Sequence, residues 1–161
     1  MQRNLVLIRL PVLAVGATIV MLGPAPAQTP NVRYSNPATM AKPAGYTHVV
    51  EVSGPGRTIY IAGQLGYDST GKQGADFREQ ATLVYENLKA AVESVGGKME
   101  NIIKLNAFLT DIRAQLPIYR EVRDKFVNVA APPASTSLEV PKLAREGALL
   151  EVEAIAVLPA R

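Results

Sequence analysis

The chain has 161 residues, a length that suits one domain. It has no cysteine and one histidine, His48. Disulfides, thiol nucleophiles and thiolate metal sites are thereby excluded, and a zinc site or a Ser-His-Asp triad has almost no material. The 17 basic and 14 acidic residues give a formal charge of +3.

Residues 1–27 read as a secretory signal peptide. Arg3 and Arg9 supply positive charge, an apolar run follows from Leu10 to Leu22, and Pro24-Ala25-Pro26-Ala27 places small residues before a cut at Gln28. The run is shorter than the roughly 20 residues that span a bilayer. Cleavage and a periplasmic or secreted product are therefore expected, with no membrane contact afterwards. Losing Arg3 and Arg9 lowers the 17 basic residues by two and the charge to +1. So neutral a chain has no strong field for nucleic acid, and none is expected as a partner.

Residues 28–44 carry Pro30, Pro37 and Pro43 without sustained periodicity and read as a flexible lead-in. Residues 45–161 form the expected domain. Thr47–Val52, which includes His48, and Arg57–Ala62 read as strands. The turn residues Ser53-Gly54-Pro55-Gly56 join them as a hairpin. His48 is expected to be a strand residue rather than a ligand or base.

A helix follows from about Asp76 to Val95, with Phe77, Ala81, Val84, Leu88, Val92 and Val95 at helical spacing. Asp76 and Glu79 suit a capping box, and Gly96-Gly97 suits a left-handed stop. Ile102–Leu109 reads as a strand with Ile103, Leu105, Ala107 and Leu109 on one face. Gln115–Val127 reads as a second helix with Pro117 near its start. Its Ile118, Val122 and Phe126 share a face, and Arg120 and Arg123 suit a solvated one.

After Pro132-Pro133, Ser135–Val140 and Leu149–Leu158 read as the last strands. The order β-β-α-β-α-β-β predicts an α+β fold: a single mixed sheet with two helices on one face. Alternation predicts Leu138, Val140, Val152, Ala154 and Ala156 on the helix side. It puts Ser135, Ser137, Glu139, Glu151, Glu153, Ile155 and Val157 on the other side, joined by Ile102 and Phe108. Exposed Ile and Val there predict burial by subunit association.

From Gly45 to Leu158 the chain resembles the RidA/YjgF family. The carrying stretches include Gly45-Tyr46, Ile59-Tyr60-Ile61-Ala62-Gly63-Gln64, Asn87-Leu88-Lys89-Ala90 and Lys104 to Asp111. Pro132-Pro133-Ala134-Ser135-Thr136 and Glu151 to Ala156 complete the set. The resemblance implies a chorismate-mutase-like fold, a homotrimer, and small-molecule clefts between subunits. It implies cofactor-free hydrolysis of 2-imino or 2-enamino acids to 2-keto acids and ammonia, with no metal. Glu151 stands where the family glutamate acts on water and is the candidate catalytic residue. Tyr46, Gly63, Tyr119, Ser135, Thr136 and Ser137 are the candidate substrate-binding residues.

Three positions depart from the deaminating pattern. Ser135 replaces the arginine that holds the substrate carboxylate, Ala62 replaces a serine, and Tyr119 replaces an asparagine. A guanidinium offers paired charged donors, and a serine offers one neutral bond. Either Arg120 or Arg123 can restore a cation from the neighbouring helix. The departures point to a branch lacking the arginine. They leave three readings: a hydrolase of imines, enamines or related C–N compounds, a non-catalytic metabolite-binding module, and a holdase-type protective oligomer.

Overall fold

A computed structural model describes residues 28–161. The expected signal peptide lies outside the described residues. The element order is β1 (Asn31–Ser35), β2 (Val49–Ser53), β3 (Arg57–Leu65), α1 (Phe77–Ser94), β4 (Ile102–Leu109), α2 (Ile112–Arg123), β5 (Ala134–Glu139) and β6 (Leu150–Leu158). A single 3-10 turn, Met99–Asn101, leads into β4.

The fold is α+β, with two helices packed on a mixed sheet. Its four strands run in the order β3-β6-β4-β5. Strand β6 is antiparallel to both β3 and β4, and β5 is parallel to β4. Parallel neighbours need a crossover, and α2 supplies it.

The expected hairpin is not formed. Strand β2 pairs with β1 in a separate two-stranded ribbon, from Asn31 opposite Ser53 to Ser35 opposite Val49. The lead-in therefore contains a strand. Val32 and Tyr34 alternate within it, but the run is only five residues long and prolines flank it.

Helix α1 forms as its sequence dictates. The Asp76 carboxylate accepts from the Glu79 N–H at 2.8 Å, and Glu79 reaches back to the Ala75 N–H at 2.8 Å. At the other end Gly96 adopts φ +83°, and the Gly96 and Gly97 N–H groups donate to Glu93 and Val92. That is the glycine stop expected of this pair. Phe77, Ala81, Val84, Leu88 and Val92 are buried against the sheet. Each valine or leucine among them contributes about 1.5–3 kcal/mol on burial.

Helix α2 starts earlier than its periodicity predicts. The Asp111 carboxylate accepts from the Ala114 N–H at 3.1 Å, capping a helix that begins at Ile112. Pro117 lies inside the helix rather than at its first turn.

The core lies between the helices and one sheet face. Leu105, Ala107, Leu109, Leu150, Val152, Ala154, Ala156 and Leu158 line that face. Gln80, nearly fully buried, fastens α1 to it. Its amide donates to the Gly74 and Gly147 carbonyls and accepts from the Leu149 N–H.

Two side assignments are corrected. The register shifts between Ile102 and Lys104, which turns Ile102 into the core. In β5, Ser135 pairs with Leu105, Ser137 with Ala107 and Glu139 with Leu109, so these three face the helices. Thr136 and Leu138 take the open side. Strand β5 is a sheet edge, so its one leucine stays 47% exposed.

Candidate functional site

The helix-side face carries a small cavity of about 210 Å³. Helix α2 gives it Ile112, Leu116, Arg120 and Arg123. Strand β5 gives Ser135 and Ser137, and the segment before β2 gives Ala44 and Tyr46. Three of the expected binding residues, Tyr46, Ser135 and Ser137, therefore meet here. Ile112 lies before the helix start that the periodicity predicts, and Leu116 and Ala44 are apolar residues that no motif marks.

The two arginines differ. Arg123 is only 4% exposed. Its Nε and Nη2 both donate to Asp124 Oδ1, at 2.9 and 2.7 Å, and its guanidinium lies 5.8 Å from the Tyr119 ring centre. It also presses on Gly45, at φ +78°, where any Cβ would overlap Nη2. Arg120 is exposed and makes no ion pair or side-chain hydrogen bond among the described residues.

Tyr119 does not line the cavity. It is fully buried beneath it, and its hydroxyl accepts from Tyr85 at 2.9 Å. Burial pushes both phenols above their ordinary value, Tyr85 well above it. For Tyr119, hydrogen bonds with Tyr85 and Ser135 and the Arg123 charge act in the opposite direction. Both therefore remain protonated at neutral pH and serve as core hydrogen-bonding groups rather than proton-transfer groups.

The second cluster lies on the open face, beside Phe108 of β4. Glu151 pairs with Leu65 on one side and Phe108 on the other. The β3 register shifts between Ile61 and Gln64, and Gly63 sits in that irregularity. A Cβ built at Gly63 would fall on Glu151 Oε1, 2.7 Å from Cδ and 2.9 Å from Cγ. Glycine is what lets the carboxylate lie over the strand backbone. Glu151 is half-buried and makes no hydrogen bond or ion pair among the described residues.

The middle of the open face forms a recess of about 490 Å³ between Tyr60, Ala62, Lys104, Asn106, Glu153 and Ile155. The Lys104 ammonium donates to the Thr136 hydroxyl, and the Asn106 amide donates to Glu153, each at 2.8 Å. Burial lowers the Lys104 pKa, against the Glu153 charge, which raises it. Thr136 belongs here, on the opposite side of the sheet from Ser135 and Ser137. His48 precedes β2, and its Nε2 lies 2.9 Å from the Ala41 carbonyl oxygen.

Residues 37–158 match the protein-family model described as Endoribonuclease L-PSP. The chain belongs to this family, the RidA/YjgF family. A RutC family protein of Aquifex aeolicus is 35% identical over 113 residues, 70% of this chain and 87% of the relative. A 2-iminobutanoate/2-iminopropanoate deaminase of Dermatophagoides farinae is 32% identical over 117 residues, 70% and 85% of the two chains. Among solved structures, YyfB from Yersinia pestis, a Rid-family protein of unknown function, superposes with TM-score 0.72. It is 30% identical and covers 80% of this chain and 99% of its own. RidA from an Antarctic Psychrobacter superposes at 0.60 and 31% identity, covering 78% and 98%.

Ser135 opens on the helix-side cavity. Glu151 opens on the other side of the sheet, three residues along β4. In one copy the two do not face each other.

Proposed function

We propose that the chain is a cofactor-free hydrolase of the RidA type, converting a labile imine or enamine to a carbonyl compound and ammonia. The observation that carries this reading is Glu151: a half-buried carboxylate without a hydrogen-bond partner among the described residues, held against a glycine that no other residue can replace without moving it. The Dermatophagoides relative, named for such a deaminase, supports the same chemistry.

Hydrolysis adds water across C=N and expels ammonia. The carbon keeps its oxidation state, so no redox cofactor is required. Glu151 accepts a proton from the attacking water as the C–O bond forms. The same carboxyl returns a proton to nitrogen as the C–N bond breaks. A carboxylate within reach of water suits both steps.

Glu151 of one copy and the cavity around Tyr46 and Ser135 of another form the cleft in a homotrimer. The open face supplies the surface for assembly, since Tyr60 is 79% exposed and Leu138 47%. Val157, by contrast, is already covered within one copy. Residues 1–27 direct export and are removed, and the product works in the periplasm or outside the cell. Arg3, Arg9 and the Leu10–Leu22 run support this.

Ser135 favours a second reading, a binding module that holds a metabolite without turning it over. Ammonia release from freshly generated 2-iminobutyrate separates the two. Turnover by the parent that Glu151→Gln abolishes supports the hydrolase. Saturable binding without product supports the module. A mass for the exported protein beginning at Gln28 tests the signal peptide.

A further inference from the structure

We infer that Arg120, on α2, is the cation that receives the substrate carboxylate in place of the guanidinium missing from β5. The inference rests on the imine-hydrolase reading above and adds one residue to it, the group that holds a substrate carboxylate.

Two guanidinium groups border the helix-side cavity, and only one is available. Arg123 is committed to structure. Two of its nitrogens hold Asp124, its plane covers Tyr119, and Gly45 packs on its tip. Its charge is offset by Asp124, and its burial removes it from an incoming ligand. Arg120 has an exposed head and no carboxylate partner among the described residues, yet it borders the same cavity as Ser135.

The rest of the lining fits an anion. No carboxylate borders the cavity. Ser135 and Ser137 offer hydroxyl donors from the β5 floor. Ile112, Leu116 and Ala44 are apolar and keep the local dielectric low, which strengthens a charge-assisted pair. A planar guanidinium grips a carboxylate with two donors and fixes its plane. The cavity volume, about 210 Å³, suits a small acid. With serine on the strand, the cation reaches the carboxylate from the helix wall.

Titration calorimetry of the purified protein with 2-oxobutyrate, the stable keto-acid product, tests this without requiring turnover. Arg120→Gln is expected to weaken binding by about 10- to 100-fold, the worth of a charged hydrogen-bonded pair. Lys125→Gln removes an equal charge just beyond the same helix, away from the cavity, and is expected to leave binding within about twofold of the parent. Adding Ser135→Arg to the Arg120→Gln variant is expected to restore binding, because it returns a guanidinium to the cavity floor.

Parent-like binding by Arg120→Gln overturns the inference, as does failure of the parent to bind 2-oxobutyrate. The two readings fail separately. Binding that depends on Arg120 without ammonia release sinks the hydrolase and leaves the anchor. Ammonia release with unchanged KM in Arg120→Gln sinks the anchor and leaves the hydrolase.

Discussion

The two faces of the sheet differ in how completely one copy of the chain satisfies them. On the helix side, the largest side chains are enclosed and their polar atoms are paired, as with Tyr85 and Tyr119 or Gln80 and its three backbone partners. On the open side, Glu151 has no partner among the described residues and Tyr60 lies in solvent. Paired groups stabilise the fold, and unpaired ones, Glu151 on the open side and Arg120 beside the helix-side cavity, are presented to something else. The contrast teaches where substitutions separate function from stability.

The largest expected effect sits on the open face. Glu151→Gln keeps shape and removes the proton acceptor, and should lower kcat for imine hydrolysis by about 100- to 10,000-fold. Its thermal midpoint should match the parent's. A large fall in stability with it would mean that Glu151 is a structural group. Gly63→Ala comes next. The new Cβ displaces the Glu151 carboxylate, whose flexible end can yield, so the fold survives while kcat drops by about 10- to 100-fold. Unchanged turnover in this variant would break the link between the β3 irregularity and the chemistry.

The helix side should give the reverse pattern. Gln80→Leu leaves the Leu149 N–H and two carbonyls without partners and should cost about 2–3 kcal/mol in urea unfolding. Tyr85→Phe removes the donor to Tyr119 and should cost about 1 kcal/mol. The pH dependence has a defined sign. Both phenols titrate above 10.0 in the fold. Their contribution is present below that value and is lost as pH rises through the folded pKa values. Stability measured from about pH 8 to 11 should fall less steeply in Tyr85→Phe than in the parent. The smallest effect belongs to the exposed Arg33–Glu51 pair on the ribbon, where Glu51→Gln should change stability by less than about 1 kcal/mol.

Helix α1 was legible because every signal in it is local: Asp76 caps it, Gly96 stops it, and its apolar residues recur at one period. Strand β4 was equally clear in extent, from Ile102 to Leu109. The pairing of β2 was not, because Gly54 and Pro55 mark a turn without saying which strand lies alongside. The face of β5 failed for a physical reason. Ser135-Thr136-Ser137 has no apolar alternation, and Leu138 misleads because an edge strand can leave a leucine in water. The motif points to Tyr119 as a site residue, while its ring fills the core below. The motif points to Glu151 and Gly63, but their mutual contact depends on a register shift that no local pattern announces. That Arg120 is free and Arg123 is bound follows from Asp124 and Gly45, a tertiary arrangement.

Subunit mixing tests most directly whether the two faces meet in one cleft between copies. Glu151→Gln and Arg120→Gln subunits, each weakly active alone, are unfolded together at equal amounts and reassembled. If Glu151 of one copy acts with Arg120 of another, about one quarter of the clefts combine two intact faces, and activity should recover to that fraction of the parent. A mixture no more active than the separate variants would place both residues in the same copy's site and contradict the account.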